Sequence, residues 1–176
     1  MDEHQKIFKI ASILLQYPER EWIEHEELEQ ELSLLKDKDV QNLFRQFLDY
    51  LKKNEIEQLC ETYVSTFDFS DKTTMYLTYN IFGDQQERGQ AFLKLKEEFR
   101  DAGFPLMDDE LPDYLPLVLE FASIAPQEYA RKMFMIHKKS IDQLAEELKV
   151  ANNPYYLVMC GCVMGIVSFL EEKKAS

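Results

Sequence analysis

A chain of 176 residues that is 45% hydrophobic is long enough to bury one good core, and 5 Gly with 6 Pro are too few for a turn-rich all-β fold. With 33 acidic against 20 basic residues, the formal charge of -13 excludes the electrostatic footprint of a binder of nucleic acid or anionic lipid and favours a basic partner. The 3 Cys form no even disulfide framework, and Asp2, Glu3 and His4 stand where a secretory signal would carry a basic region, so the expectation is a cytoplasmic protein with reduced thiols.

The patterning predicts about nine helices in one all-α domain over residues 1–176, with no internal repeat or linker. Ile7, Ile10, Ala11, Leu14 and Leu15 recur at three- and four-residue steps and stop at Tyr17 and Pro18. Glu21 to Leu35 carries a thinner stripe of Trp22, Ile23, Leu28, Leu32 and Leu35, which reads as one solvated helix. Val40, Leu43, Phe44, Phe47, Leu48 and Leu51 repeat the helical step without a miss, with Asp37 or Asp39 as cap and Asn54 as stop. Ile56, Leu59, Cys60, Tyr63 and Phe67 follow on a further helix.

Three junctions rich in rings and acids come next. The first, TFDFSD, sets Asp68, Ser70 and Asp71 after Phe67 and Phe69, and Met75, Tyr76, Tyr79 and Phe82 then fit a short helix. In the second, FGDQQERG, Gly83 suits a helix end, while Asp84 and Glu87 have capping-box spacing for a helix with Ala91, Phe92, Leu95 and Phe99 inward. Phe104 to Pro112, with Asp108, Asp109 and Glu110 in a row, reads as a loop or hinge. The third junction, ELPDYLP, places Asp113 as a cap and Pro116 in a first helical turn.

Leu115, Val118, Leu119 and Ala122 make the next helix, and Tyr129, Met133, Phe134, His137, Ile141, Leu144 and Leu148 the one after it, begun by Pro126. Asn153 and Pro154 cap and begin the last. This element is apolar on every side, and Gly161 with Gly165 permits close approach of a neighbour, so it belongs at the buried centre. Its apolar run, Tyr155 to Leu170, is shorter than the ~20 residues a bilayer needs, and no membrane insertion is expected.

No chemistry-bearing motif accompanies these helices. There is no Gly-rich phosphate loop and no nucleophile elbow; Cys160 and Cys162, two apart on a helix, point in different directions; none of His4, His25 or His137 has Glu three residues before it. No catalytic residue, metal site or stably bound cofactor is expected. The junction acids Asp68, Asp71, Asp109, Glu110 and Asp113 read singly as helix caps. Together with Tyr63, Phe67, Tyr76 and Tyr79 they describe an apolar groove rimmed by carboxylates, suited to an amphipathic basic helix. Arg88 is the contrary charge and pairs with a junction acid. A structural subunit of a larger complex, with the Gly161 and Gly165 helix as its interface, is a second reading. A small-molecule binder or nucleotide hydrolase ranks last for want of a phosphate site.

Tyr63 to Phe67 with Asp68, GDQQERGQA from Gly83 to Ala91, and ELPDYLPLVLEF from Glu110 to Phe121 resemble the respiratory nitrate reductase assembly chaperones of the NarJ, or delta-subunit, type. Thr66 stands where the wider family of redox-enzyme maturation chaperones, with its TorD and DmsD types, usually has Leu, and Tyr114 where it has His. The resemblance implies an all-helical, TorD-like, cytoplasmic chaperone, monomeric or weakly dimeric. It implies a client too: the N-terminal segment of the nitrate reductase catalytic subunit, held as apoenzyme until that client receives the molybdenum cofactor. On this basis Tyr63, Phe67, Asp68, Tyr76, Tyr79, Glu110, Asp113 and Tyr114 would bind the peptide. Arg88, Gly83, Pro112 and Pro116 would shape the junctions and hinge. The alternatives are a chaperone of another molybdoenzyme and a stable subunit of a redox complex.

Overall fold

The computed structural model describes residues 1–175, with side chains through Glu172. Ten helices are described: α1 (Glu3–Leu14), α2 (Arg20–Ile23), α3 (Glu26–Ser33), α4 (Lys38–Lys53), α5 (Ile56–Phe67), α6 (Tyr79–Phe82), α7 (Gln86–Asp101), α8 (Leu115–Ile124), α9 (Gln127–Val150) and α10 (Tyr156–Ala175). The tenth arises where one helix is expected between Glu21 and Leu35. Ile23 and Leu28 both reach the core, yet five residues on a continuous helix would set them about 140° apart. An extended His25 (φ -70°, ψ 121°) re-aims the chain between them.

Helix α10 packs against α1, α4 and α9, and α1 also lies along α8. A Cβ at Gly161 would come within 2.6 Å of the Phe44 ring, and one at Gly165 within 2.7 Å of Ile7, so α10 touches its neighbours at those two points without side chains between. Val158, Met159, Cys162, Ile166 and Phe169 fill the space around them. No helix among the described residues is long and apolar enough to cross a membrane. Asp37 caps α4 by accepting from the amides of Asp39 and Val40, and Asn153 holds the turn before α10 by accepting from that of Tyr155 at 2.9 Å.

The stretch from Met75 to Phe82 is helical only from Tyr79. Residues 75–77 instead run antiparallel to 113–115: the Leu77 amide donates to the Asp113 carbonyl at 3.0 Å, the Leu115 amide to the Met75 carbonyl at 2.9 Å, and Tyr76 stands opposite Tyr114. Pairing with residues 113–115 stops the helix from starting earlier. The Met75 carbonyl, which a helix would pair with the Tyr79 amide, is taken by Leu115, and the Thr78 amide donates to the Asp113 carboxylate at 3.0 Å, while the Thr73 hydroxyl donates to the Thr66 carbonyl and the Thr74 hydroxyl accepts from the Tyr76 amide at 3.2 Å.

Two expected caps are absent. Helix α7 is entered through Gln85, which makes no side-chain cap, so Asp84 lies one residue too early to close a box with Glu87. Helix α8 is entered through Tyr114, with Pro116 in its first turn, and Asp113 is directed elsewhere. Gly83 does end α6, at a φ of 54° that residues with a Cβ rarely adopt. The segment from Phe104 to Pro112 is an irregular loop, pinned where the Glu110 carboxylate accepts from the Met107 amide at 2.8 Å and where Phe104 stands edge-on to Phe121.

Candidate functional site

Helix α5 ends with Tyr63 and Phe67 one turn apart, and both are buried with ring centroids 5.0 Å apart. Tyr17, in the turn after α1, stands edge-on to Tyr63 at 5.4 Å, and the 75–77 and 113–115 pairing brings Tyr76 to 5.1 Å from Tyr114. These rings form the apolar side of a cleft of 520 Å3. Asp68, Asp109, Glu110 and Glu120 stand on its boundary, and no Lys, Arg or His among the described residues lines it. Among the described residues Glu120 alone of the four has an ion-pair partner, the half-buried Lys9 at 3.9 Å.

The floor of the cleft carries two hydroxyls in series. Tyr63 donates to the Leu15 carbonyl at 3.2 Å, so in the 3.1 Å contact between the phenols Tyr114 is the donor and Tyr63 the acceptor. Burial is the main cause that pushes both phenols above their usual range, and they stay neutral at physiological pH. The site therefore offers neutral rings inside and carboxylates outside.

A smaller cleft of 230 Å3 continues from the first past Phe67, Asp68 and Tyr76, which line both. Its far side is made by Ser70, Asp71, Tyr79 and Arg88. The Arg88 guanidinium lies 5.5 Å from the centre of the Tyr79 ring and 4.9 Å from that of Phe92. The negative charges of Asp71 and then Asp84 raise the Tyr79 phenol.

Asp113 is fully buried and lines neither cleft, which corrects its expected place among groups that meet a ligand. One of its oxygens, Oδ2, accepts from the Thr78 amide at 3.0 Å, the Thr78 hydroxyl at 2.6 Å and Arg88 Nη2 at 3.4 Å. Arg88 Nε also donates to the Thr78 hydroxyl at 3.0 Å. Asp113 thus ties α7 and the entrance of α6 to the start of α8, and holds the strip that carries Tyr76 and Tyr114. Its other oxygen, Oδ1, has no hydrogen-bond partner among the described residues, and neither has Nε2 of the buried His137. Burial lowers the His137 pKa to about 4, against an opposing pull from the charge of Asp113.

Of the residues singled out from sequence, the first cleft gathers Tyr63, Phe67, Asp68, Tyr76, Glu110, Tyr114 and Pro116, and the second adds Tyr79 and Arg88. Pro112 is buried behind the loop, and Gly83 shapes the turn after α6. Gln16, Tyr17, Leu117 and Glu120 line the first cleft without having been anticipated. Leu117 carried a usable signal, an apolar residue off the Leu115, Val118, Leu119 and Ala122 stripe. Gln16 and Tyr17 carried none beyond the helix end itself.

Burial pushes the Cys162 thiol up to about 12, which makes it inert packing. No three His, Cys, Asp or Glu side chains among the described residues are grouped so as to hold a metal ion. What the arrangement can do is bind: rings accept apolar side chains, and carboxylates accept cationic ones.

Residues 35–160 match the family described as nitrate reductase delta subunit. A protein of Bacillus subtilis named probable nitrate reductase molybdenum cofactor assembly chaperone NarJ is 38% identical over 156 residues, which cover 87% of this chain and 84% of that protein. The Escherichia coli K12 protein named nitrate reductase molybdenum cofactor assembly chaperone NarJ is 31% identical over 124 residues, 69% of this chain and 52% of that one. The nitrate reductase-like protein NarX of Mycobacterium tuberculosis H37Rv is 31% identical over 149 residues, 85% of this chain but only 22% of its own length.

Proposed function

The chain belongs to the nitrate reductase delta subunit family, and from that premise we propose that it is a cytoplasmic assembly chaperone for a nitrate reductase. It binds the N-terminal segment of the catalytic subunit and holds the apoenzyme while the molybdenum cofactor is inserted into that client. The relatives named as molybdenum cofactor assembly chaperones support the class of activity. The observation that carries the binding step is the first cleft, in which rings are rimmed by four carboxylates with no basic group lining it among the described residues.

In this mechanism an amphipathic segment lays its apolar side chains against Tyr17, Tyr63, Phe67, Tyr76 and Tyr114, and its Lys or Arg groups meet Asp68, Asp109 and Glu110. Rings lose little conformational freedom on binding, and rim charges act on the rate of encounter more than on its final strength. Tyr79 extends the contact into the smaller cleft. Asp113 takes no part in contact; with Arg88, which lines the smaller cleft, it fixes where Tyr76 and Tyr114 stand. The chaperone acts as a monomer or weak dimer, and the cofactor remains the client's.

The test is calorimetric titration with a peptide copying the N-terminus of the nitrate reductase catalytic subunit from the same genome, at low and moderate salt. The expected result is one-to-one binding that weakens with salt. Asp68→Lys with Asp109→Lys, both at exposed positions, should weaken it about tenfold, or ~1.4 kcal/mol, at unchanged melting temperature. No heat at either salt, or the same affinity after charge reversal, would overturn the assignment of this cleft.

A further inference from the structure

Another cleft, of 950 Å3, lies between α1 and the α2 and α3 pair. Its floor is apolar, made by Ile10, Ile13, Trp22 and Leu28, with Leu34 exposed at one boundary. The indole of Trp22, the protein's single Trp, is held in place where its Nε1 donates to the Tyr17 carbonyl at 2.9 Å. The charges around this floor are divided by element. Lys6 and Lys9 stand on α1, while Glu21 on α2 and Glu27 and Glu31 on α3 line the other side, with Glu19 ahead of them. Lys6, Glu19, Glu21 and Glu31 form no ion pair among the described residues.

We infer that this cleft is a second docking site, and that its occupant is an amphipathic helix of a partner protein with Lys or Arg along one flank and Asp or Glu along the other. An apolar floor between walls of opposite sign selects such a ligand in one orientation, because turning it end for end sets like charges against each other. The stretch from Lys6 on α1 to Gln16 just past its end spans about 15 Å, so the seated helix has about three turns. The cleft is separate in chemistry from the ring-lined one, which has no basic wall. The two meet at Gln16, which lines both, so an occupant of one ends where an occupant of the other begins.

The probe is a synthetic 14-residue helical peptide with Leu at positions i, i+3, i+4 and i+7, Lys along one flank and Glu along the other, beside a control with Glu along both flanks. Trp22 emission should change saturably with one peptide per chain, and the control should bind at least tenfold more weakly. Glu21→Lys with Glu31→Lys, at exposed positions, should reverse that preference. Leu34→Asp, on a residue 57% exposed, should abolish binding without lowering the melting temperature. Asp68→Lys with Asp109→Lys in the first cleft should leave it unchanged. Absence of a saturable Trp22 response, equal affinity for the two peptides, or loss of binding only on charge reversal in the first cleft would each overturn the inference. So would sedimentation showing self-association that shields Trp22, since a second copy would then be the occupant. None of these failures bears on the client peptide of the first cleft, whose titration is read separately.

Discussion

Replacing Asp113 with Ala should unfold the ring-lined cleft from behind. The carboxylate accepts three hydrogen bonds through one oxygen, from the Thr78 amide, the Thr78 hydroxyl and Arg88, at a position that is fully buried. Removing one partner of a buried pair typically costs ~3–5 kcal/mol, because the groups left behind are desolvated without compensation. Two features put this case at the lower end. Arg88 retains 20% side-chain exposure and can recover water, and Asp113 Oδ1 is already without a partner. About 3 kcal/mol in a chain of this size corresponds to a fall in melting temperature of about 10 °C. Urea unfolding followed by helical circular dichroism measures the change. A double-mutant cycle with Arg88→Ala isolates the pair, with an expected coupling of ~1–2 kcal/mol. Asp113→Asn, which keeps an acceptor for Thr78 but removes the charge, should fall between wild type and Asp113→Ala. A fall of less than ~2 °C for Asp113→Ala would refute the reasoning, since Thr78 and Arg88 would then be satisfied without it.

His137 makes stability depend on pH. Its pKa is about 4 in the folded chain and ~6.5 unfolded, so between these values the unfolded state binds a proton that the native state does not. The contribution is complete above pH ~6.5 and is lost as pH falls to about 4, by up to ~3 kcal/mol. Urea midpoints at pH 7.5, 5.5 and 4.5 should follow that decline, and His137→Leu should flatten it. The glycines of α10 and α7 should respond oppositely to Ala. Gly161→Ala drives a Cβ to 2.6 Å from the buried Phe44 ring and should cost ~1–2 kcal/mol after the gain in helix propensity. Gly89→Ala meets nothing within 4 Å on an exposed helix face and should stabilise by up to ~1 kcal/mol; thermal melts of the two variants distinguish them.

The helices were legible wherever one apolar stripe met one neighbour. The α4 stripe of Val40, Phe44, Phe47, Leu48 and Leu51 is buried as its spacing predicts, Leu43 only partly so, with Asp37 as its cap. The all-apolar α10 is central, and its two glycines meet side chains of two different helices. Periodicity failed at short segments whose backbone groups are claimed by residues distant in sequence. Asp113 and Leu115 keep residues 75–78 out of a helix by taking their backbone groups, and an i, i+3, i+4 pattern of rings cannot reveal that. The composition of the candidate site was readable as rings plus acids. Its division was not, because Asp68 and Asp113 look alike in sequence, yet one is exposed on a cleft and the other has no contact with solvent.

The sequence by itself determined the all-helical class, the centrality of the last helix, the acidic surface and the family, since these depend on residue type and spacing along the chain. Only the tertiary structure decided which acids line a cleft and which hold the framework. Hydrogen-bond partners such as Thr78 and Arg88 lie 35 and 25 residues from Asp113, and the choice between cap, rim and buried tie depends on what the fold brings within about 3 Å. The second cleft follows the same rule: Lys6 and Glu31 belong to one groove because α1 and α3 pack together, a juxtaposition that no local pattern encodes.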